Sequence, residues 1–270
     1  MQTGLEHRTV LVTGGNANIG RGIALAFAAE SANVVIVGRD HDQGAKVCTA
    51  ARAAGANAAL WQHCDVTDHL AVMEMVAAVQ DRFGGVDVLV NGVGGNVGMD
   101  EFAKSAPETW RQDIDLNIMS TLNCTHAVLP SMIARQHGRV INIGSTSGIV
   151  GDPLLAVYSA MKGAVHSFTT VLAKEVGRYG VTVNAIAPYS TFPDGDDAVS
   201  SGSRWHPDGV FARLMVDRAA ELTSIGRRTV LARQFAYPSE VGAAAVYLAS
   251  DAAAFVTAQV LSVDGGTQIA

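Results

Sequence analysis

The 270 residues contain only three cysteines, Cys48, Cys64 and Cys124, widely spaced and odd in number. That pattern excludes a disulfide framework and offers no zinc-ligand spacing, so buried thiols in a reducing compartment are expected. A basic block is equally missing. The formal charge is −6, which leaves no electrostatic footprint for nucleic acid or an anionic membrane. No apolar run is long enough to span a bilayer, and Met1 to Arg8, with Glu6, His7 and Arg8, lacks the apolar core of a signal peptide. His63 and His69 find no third ligand at a sensible spacing, so no metal site is expected. The expectation is a soluble cytoplasmic protein.

What is abundant is apolar and small. Apolar residues make up 49% of the chain, with many Ala, Val and Gly, a composition that suits a compact α/β protein with buried parallel strands. The length suits one large domain or two small ones.

Thr9 to Thr13 is a β-rich run leading into Gly14-Gly15-Asn16-Ala17-Asn18-Ile19-Gly20 and then a helical pattern through Ile23, Ala24, Phe27 and Ala28. Strand, glycine loop and helix form the context of a phosphate cradle. Gly14 permits a tight turn, Gly20 a close helix approach, and the free amides at the helix start face a pyrophosphate. Asn18 stands where a third glycine is expected and tolerates positive φ. The next strand, Asn33 to Val37, ends in Gly38-Arg39-Asp40. A carboxylate there favours a free ribose 2′-hydroxyl and an Arg a 2′-phosphate. Arg39 favours NADP(H), while Asp40 keeps NAD(H) open.

A helix from Gly44 to Ala54 and a strand from Ala58 to His63 precede Cys64-Asp65-Val66-Thr67. Asp65 accepts from an adenine amino group or caps the next helix, with Thr67 or Asp68 beginning it, and both roles are met together if Asp65 faces ligand and Thr67 caps. Val86 to Val90 is a fourth strand, followed by Asn91-Gly92-Val93-Gly94-Gly95, whose small residues let backbone approach a cofactor or simply form a turn. Pro107 starts a long helix carrying Asp113, Asp115 and Asn117, and local sequence reads Asn117 as structural.

Val140 to Gly144 reads as a strand with Ser145 just past its end. Thirteen residues later, Tyr158-Ser159-Ala160-Met161-Lys162 opens an apolar run at helical spacing, which makes Tyr158 and Lys162 neighbours on one face. A phenol is a poor proton donor near neutral pH, and an ammonium one turn away favours its charged form. With the Ser145 hydroxyl bonding the same substrate oxygen, the result is a site for moving a proton on and off an alcohol. Val181 to Ala187 is a sixth strand ending in Pro188. From Tyr189 to about Ala236 the rhythm breaks into a long insertion containing Asp194-Gly195-Asp196-Asp197, Trp205-His206-Pro207 and a helix from Asp208 to Leu222. Such insertions commonly serve substrate binding. A last helix, Ser239 to Ala249 with Ser239 as cap, leads to a strand from Val260 to Val263.

Together these residues resemble the short-chain dehydrogenase/reductase family over nearly the whole chain. Thr13-Gly14-x-x-x-Asn18-Ile19-Gly20 is similar to its cofactor motif and Asn91-Gly92-Val93-Gly94 to its N-N-A-G turn. Asn117, Ser145, Tyr158 and Lys162 match its catalytic tetrad in order and spacing. The resemblance implies one α/β domain over residues 1–270, a Rossmann-type, doubly wound parallel sheet of seven strands. It implies NAD(P)(H) held by Gly14, Asn16, Asn18, Ile19, Gly20, Arg39, Asp65, Val66, Asn91, Gly92, Val93, Tyr158, Lys162, Pro188 and Thr191. A secondary alcohol or ketone as substrate and a homotetramer or dimer are implied as well. Tyr158 is then the general acid/base and Ser145 polarises the substrate oxygen. Lys162 favours the phenolate and holds the nicotinamide ribose, and Asn117 holds a water that relays protons to Lys162.

Three departures qualify the match. Asn18 replaces a glycine. Gly92-Val93 replaces Asn-Ala, which is expected to loosen that turn. Pro188-Tyr189 replaces Pro-Gly, predicting an unusual, aromatic pocket wall. Gln136 precedes His137-Gly138-Arg139 where carrier-protein ketoreductases often have a basic residue, which disfavours a carrier-protein substrate. Arg204 and His206 are candidates for recognising an acidic group. A non-catalytic dinucleotide-binding regulator is the rival reading, and the presence of both Tyr158 and Lys162 argues against it.

Overall fold

The computed structural model describes residues 2–195, 198–201, 203, 205–207, 209 and 229–268. Its strands are β1 (Thr9–Thr13), β2 (Asn33–Gly38), β3 (Ala58–His63), β4 (Val88–Asn91), β5 (Gly138–Ile143), β6 (Val181–Pro188) and β7 (Val260–Val263). The helices are α1 (Asn18–Ala29), α2 (His41–Ala53), α3 (His69–Phe83), α4 (Pro107–Ile114), α5 (Ser120–Arg135), α6 (Ser147–Val150), α7 (Ala156–Val176) and α8 (Pro238–Ala249). All seven strands pair in parallel in the order β3-β2-β1-β4-β5-β6-β7. This is the single α/β domain of Rossmann type that the resemblance implies. The strand order reverses at β1, so a crevice opens beyond the carboxyl ends of β1 and β4.

Strand periodicity divides the core. Val10 and Val12 of β1 group with Ile23, Phe27, Val241 and Leu248, whereas Leu11 groups with Val76, Met132 and Leu172 on the other face. Because helices cover both faces, the strands need no polar alternation and read as Val, Ile and Leu runs. All three cysteines are buried free thiols. Burial, then Asp65 and Asp68, pushes the Cys64 thiol up to about 11, which leaves it protonated and inert. No helix among the described residues is long and apolar enough to cross a membrane.

Several boundaries shift for local reasons. α2 starts at His41 rather than Gly44 because Asp40 caps it, accepting from the Gln43 amide at 3.1 Å. α3 is capped by Asp68, which accepts from the Leu70 and Ala71 amides at 2.9 and 3.2 Å, and not by Asp65 or Thr67. α8 begins at Pro238, with Glu240 accepting from the Tyr237 amide at 2.8 Å, so Ser239 is not its cap. The helix from Pro107 is interrupted by a π-turn at Asp115–Met119. Asp196, Asp197, Arg204 and the expected helix from Asp208 to Leu222 lie outside the described residues.

Candidate active site

The glycine loop joins β1 to α1. Gly14 has φ +66°, and a Cβ on Gly20 would sit 2.0 Å from the Gly14 carbonyl oxygen, so both positions require glycine. Asn18 has φ +39°, the conformation expected of the missing glycine. α1 has neither a side-chain cap nor an acid in its first turn, which leaves its N-terminal amides, around Asn18, Ile19 and Gly20, and its dipole for an anion. Asn16 is buried against the end of β2, its Oδ1 2.6 Å from where a Gly38 Cβ would be.

Across the crevice, the Thr13 hydroxyl accepts from the Gly92 and Val93 amides at 3.0 and 3.3 Å. The turn expected to be loosened by the loss of an Asn side chain is therefore fastened by Thr13 instead. Among the described residues the buried Oδ1 atoms of Asn18 and Asn91 have no hydrogen-bond partner. A bare helix N-terminus with the unpaired Asn18 acceptor on it fits a dinucleotide, which brings phosphates for the one and hydroxyl or amide donors for the other.

At the end of β2 the side chains are exposed. Arg39 Nη1 lies 3.5 Å from Asp65 Oδ2, with the two side chains 62% and 45% exposed. Asp65 Oδ1 also accepts from the Thr67 amide and hydroxyl; burial raises its pKa, but the Thr67 bonds and Arg39 outweigh that and hold the carboxyl below its usual range. Val66 is buried beside it, its carbonyl accepting from Asn123 at 3.1 Å.

At the other end, α7 grips the end of β5. Lys162 is buried, and its Nζ donates to the Ile143 carbonyl at 2.9 Å while lying 5.7 Å from the Tyr158 ring centroid. One turn on, His166 Nε2 accepts from the Ser145 amide at 3.4 Å. A Cβ on Gly144 would meet that nitrogen at 2.1 Å, so glycine is what admits the ring. Burial and then the Lys162 charge push the His166 pKa down to about 4, so the ring is neutral and able to accept at ordinary pH. A further turn on, Thr169 Oγ1 accepts from Asn142 Nδ2 at 2.9 Å, and Asn142 Oδ1 accepts from Asn91 Nδ2 at 2.8 Å. Lys162, His166 and Thr169 thus tie one helix face to Ile143 and Asn142 of β5 and to Ser145 just past it, and onward to β4. Ser145 Oγ accepts from the Ser147 amide at 3.1 Å, leaving its own O–H proton to donate.

Asn117 is wholly buried at the centre of the π-turn. Its Nδ2 donates to the Gly95 and Asp113 carbonyls at 2.7 and 2.8 Å, and its Oδ1 accepts from the Gly95 amide at 2.9 Å. The amide side chain is a clasp on the loop after β4. Lys162 Nζ and Asn117 Oδ1 meet at Gly94, where a Cβ would lie 2.7 and 2.9 Å from them. A water-sized cavity of about 30 Å³ lies beside Tyr158, lined by Asp113, Trp110, Thr109 and Leu154; it reaches neither Ser145 nor Lys162.

Beyond Pro188, Thr191 is buried and its hydroxyl donates to the Tyr189 carbonyl at 2.9 Å. In this segment the Phe192 ring lies 4.2 Å from that of Trp205 and 4.1 Å from that of Phe235. All four tetrad matches converge on the β4–β5 end of the crevice and the glycine-loop residues on its β1 end. The sequence reading missed His166, Thr169 and the Thr13 hydroxyl bonds. His166 was discoverable, because it continues the four-residue spacing of Tyr158 and Lys162.

A parallel sheet with a bare helix N-terminus at its switch point defines a dinucleotide-binding protein of the Rossmann class. Residues 8–202 match the family model described as short chain dehydrogenase. The chain is 35% identical over 263 residues to a 2,3-dihydroxy-2,3-dihydro-p-cumate dehydrogenase of Pseudomonas putida, covering 97% of this chain and 95% of the relative. It is 34% identical to a galactitol 2-dehydrogenase of Agrobacterium fabrum, with 97% and 98% covered. A solved short-chain type dehydrogenase/reductase from Mycobacterium ulcerans superposes with a TM-score of 0.85 at 31% identity, covering 97% and 90%. This chain belongs to the short-chain dehydrogenase family and is an NAD(P)-dependent oxidoreductase.

Proposed function

We propose that the chain interconverts a secondary alcohol and the corresponding ketone using NADP(H), with Tyr158 as general acid and base. The observation that carries this reading is the buried Lys162 ammonium held beside the Tyr158 ring by the Ile143 carbonyl. Tyr158 and this charge share one helix face, the arrangement that suits a phenol for exchanging a proton with a substrate oxygen. Ser145 donates its O–H to the substrate oxygen, fixing it for the proton transfer. Asn117 holds the loop after β4 against Lys162 and supports a water relay between them. The nicotinamide, when bound, gives or takes the hydride.

Glycine-loop amides at Gly14, Asn16, Asn18, Ile19 and Gly20 hold the phosphates. Asp65 and Val66 border the adenine, Asn91, Gly92 and Val93 the ribose side, and Pro188 and Thr191 the nicotinamide. Preference for NADP(H) rests on Arg39, whose guanidinium is exposed and bonded only at 3.5 Å to Asp65. The substrate is a small alcohol or ketone, in keeping with relatives named for a dihydrodiol and a sugar alcohol. A homo-oligomer accords with the open apolar groove of Phe102, Trp110, Ile114, Val157 and Met161 between α4 and α7.

Titration with NADPH and NADH tests the cofactor assignment, with saturable binding of both and tighter binding of NADPH expected. Turnover of a ketone and alcohol panel by wild type and Tyr158→Phe tests the chemistry. Turnover retained by Tyr158→Phe would sink the acid/base assignment.

A further inference from the structure

The segment after β6 does not stay at the nicotinamide end of the crevice. The Thr191 carbonyl accepts from Asn18 Nδ2 at 3.3 Å, above the glycine loop. Asp194 Oδ1 lies 3.3 Å from Arg21 Nη1 on α1. Ser201 then reaches the end of β2, donating its amide and its hydroxyl to Asp40 Oδ2 at 2.9 and 2.8 Å. Ala198 is wholly buried and Ser200 nearly so, so the segment is seated on the domain and is not merely draped over it. The described residues of this segment, 191–195 and 198–201, thus contact α1 at two places and the N-cap of α2 at a third, a strap across the crevice.

Its last contact falls on the carboxylate that keeps NAD(H) open in the sequence. Asp40 Oδ1 accepts from the Gln43 amide and Oδ2 from both Ser201 donors. Three of about four acceptor positions on an ionised carboxylate are therefore taken. A ribose diol is recognised by a carboxylate that offers both oxygens, and this one has little left to offer. Arg39, one residue before it, keeps an exposed guanidinium whose one contact among the described residues is long, the group that suits a 2′-phosphate.

We infer that Ser201 is a specificity-determining residue: by holding Asp40 it withdraws that carboxylate from the ribose, and so leaves the choice of coenzyme to Arg39. The inference rests on the dinucleotide-binding reading of the same crevice. It assigns coenzyme selection to a residue some 160 positions away from the strand end that performs it. The Ser201 and Gln43 bonds hold the Asp40 carboxyl below its usual range, so it stays charged and bonded throughout the pH range of ordinary assays.

The test is calorimetric titration of the full-length protein with NADPH and with NADH, reading the ratio of the two dissociation constants. Wild type prefers NADPH. Ser201→Ala removes one donor to Asp40 and Ser201→Pro removes both, so the preference falls about fivefold in the first and about tenfold or more in the second, chiefly through tighter NADH binding. In an Asp40→Asn background Ser201→Pro no longer moves the ratio, because there is no carboxylate to release. A ratio unmoved by Ser201→Pro, an equal shift in the Asp40→Asn background, or a wild-type preference for NADH overturns the inference. Failure of wild type to bind either coenzyme overturns the dinucleotide reading beneath it.

Discussion

At the α7 end of the crevice the contacts run from one helix face to β5 and the residues just past it, whereas at the β2 end they are exposed and join segments far apart in the chain. Lys162 bonds the Ile143 carbonyl, His166 the Ser145 amide and Thr169 the Asn142 side chain, all from one helix face. Arg39, Asp40, Asp65 and Ser201 meet near solvent. A buried polar group stripped of its partner costs roughly 1–3 kcal/mol, while an exposed ion pair is worth about 0–1 kcal/mol. The first end is therefore intolerant of change, in keeping with the proposal that it moves a proton. The second can be altered with little loss of stability, in keeping with the proposal that coenzyme choice is set there.

The largest test of that contrast is Tyr158→Phe. Turnover is expected to fall on the order of 10³-fold, while NADPH affinity measured by titration stays within about twofold, because the change removes the phenol proton and little binding surface; a large loss of affinity would mean the Tyr158 hydroxyl itself carries cofactor binding. The pH dependence of unfolding comes next. His166 has a folded pKa of about 4 against an ordinary 6.5, through burial and then Lys162. Between those values the unfolded chain binds the extra proton, so stability is intact above about 6.5, declines as pH falls and levels off below about 4. Because the ring is partly exposed, the loss is about 2 kcal/mol rather than the full shift. Denaturant melts of wild type and His166→Gln across this window measure it, and an equal slope in both would remove His166 as the cause.

Thr169→Val is expected to lower stability by about 1–2 kcal/mol, since Asn142 Nδ2 loses its buried acceptor. Unfolding midpoints in urea check this. Arg39→Ala has the smallest effect on the fold, with the melting temperature unchanged because its pair with Asp65 is exposed. NADPH binding should weaken about tenfold with NADH nearly unaffected. A drop in stability for Arg39→Ala, or none for Thr169→Val, would break the distinction between the two ends.

Much of this architecture was legible in the chain because its signals are local. Buried parallel strands read as Val and Ile runs, and Gly14 and Gly20 are demanded by turn and close approach within seven residues. Tyr158 and Lys162 are neighbours through helix geometry alone. Helix starts were less legible, since an Asp, Thr or Ser at a boundary can all cap. The choice of Asp40 and Asp68 over their neighbours depends on which backbone amides come within reach. Asn117 looked structural locally and catalytic by resemblance, and its side chain turns out to hold the Gly95 loop beside Lys162.

By itself the sequence determined the strands, the glycine loop, and the placing of Tyr158 and Lys162 on one helix face, because each depends on spacings of a few residues. Only the tertiary structure decided what occupies them. It seated His166 against Gly144, fastened the Gly92 turn to Thr13, and brought Ser201 to Asp40 across 161 positions. Those contacts exist because a parallel sheet gathers the carboxyl ends of strands far apart in the chain along one crevice, and no local periodicity records which loops will meet there.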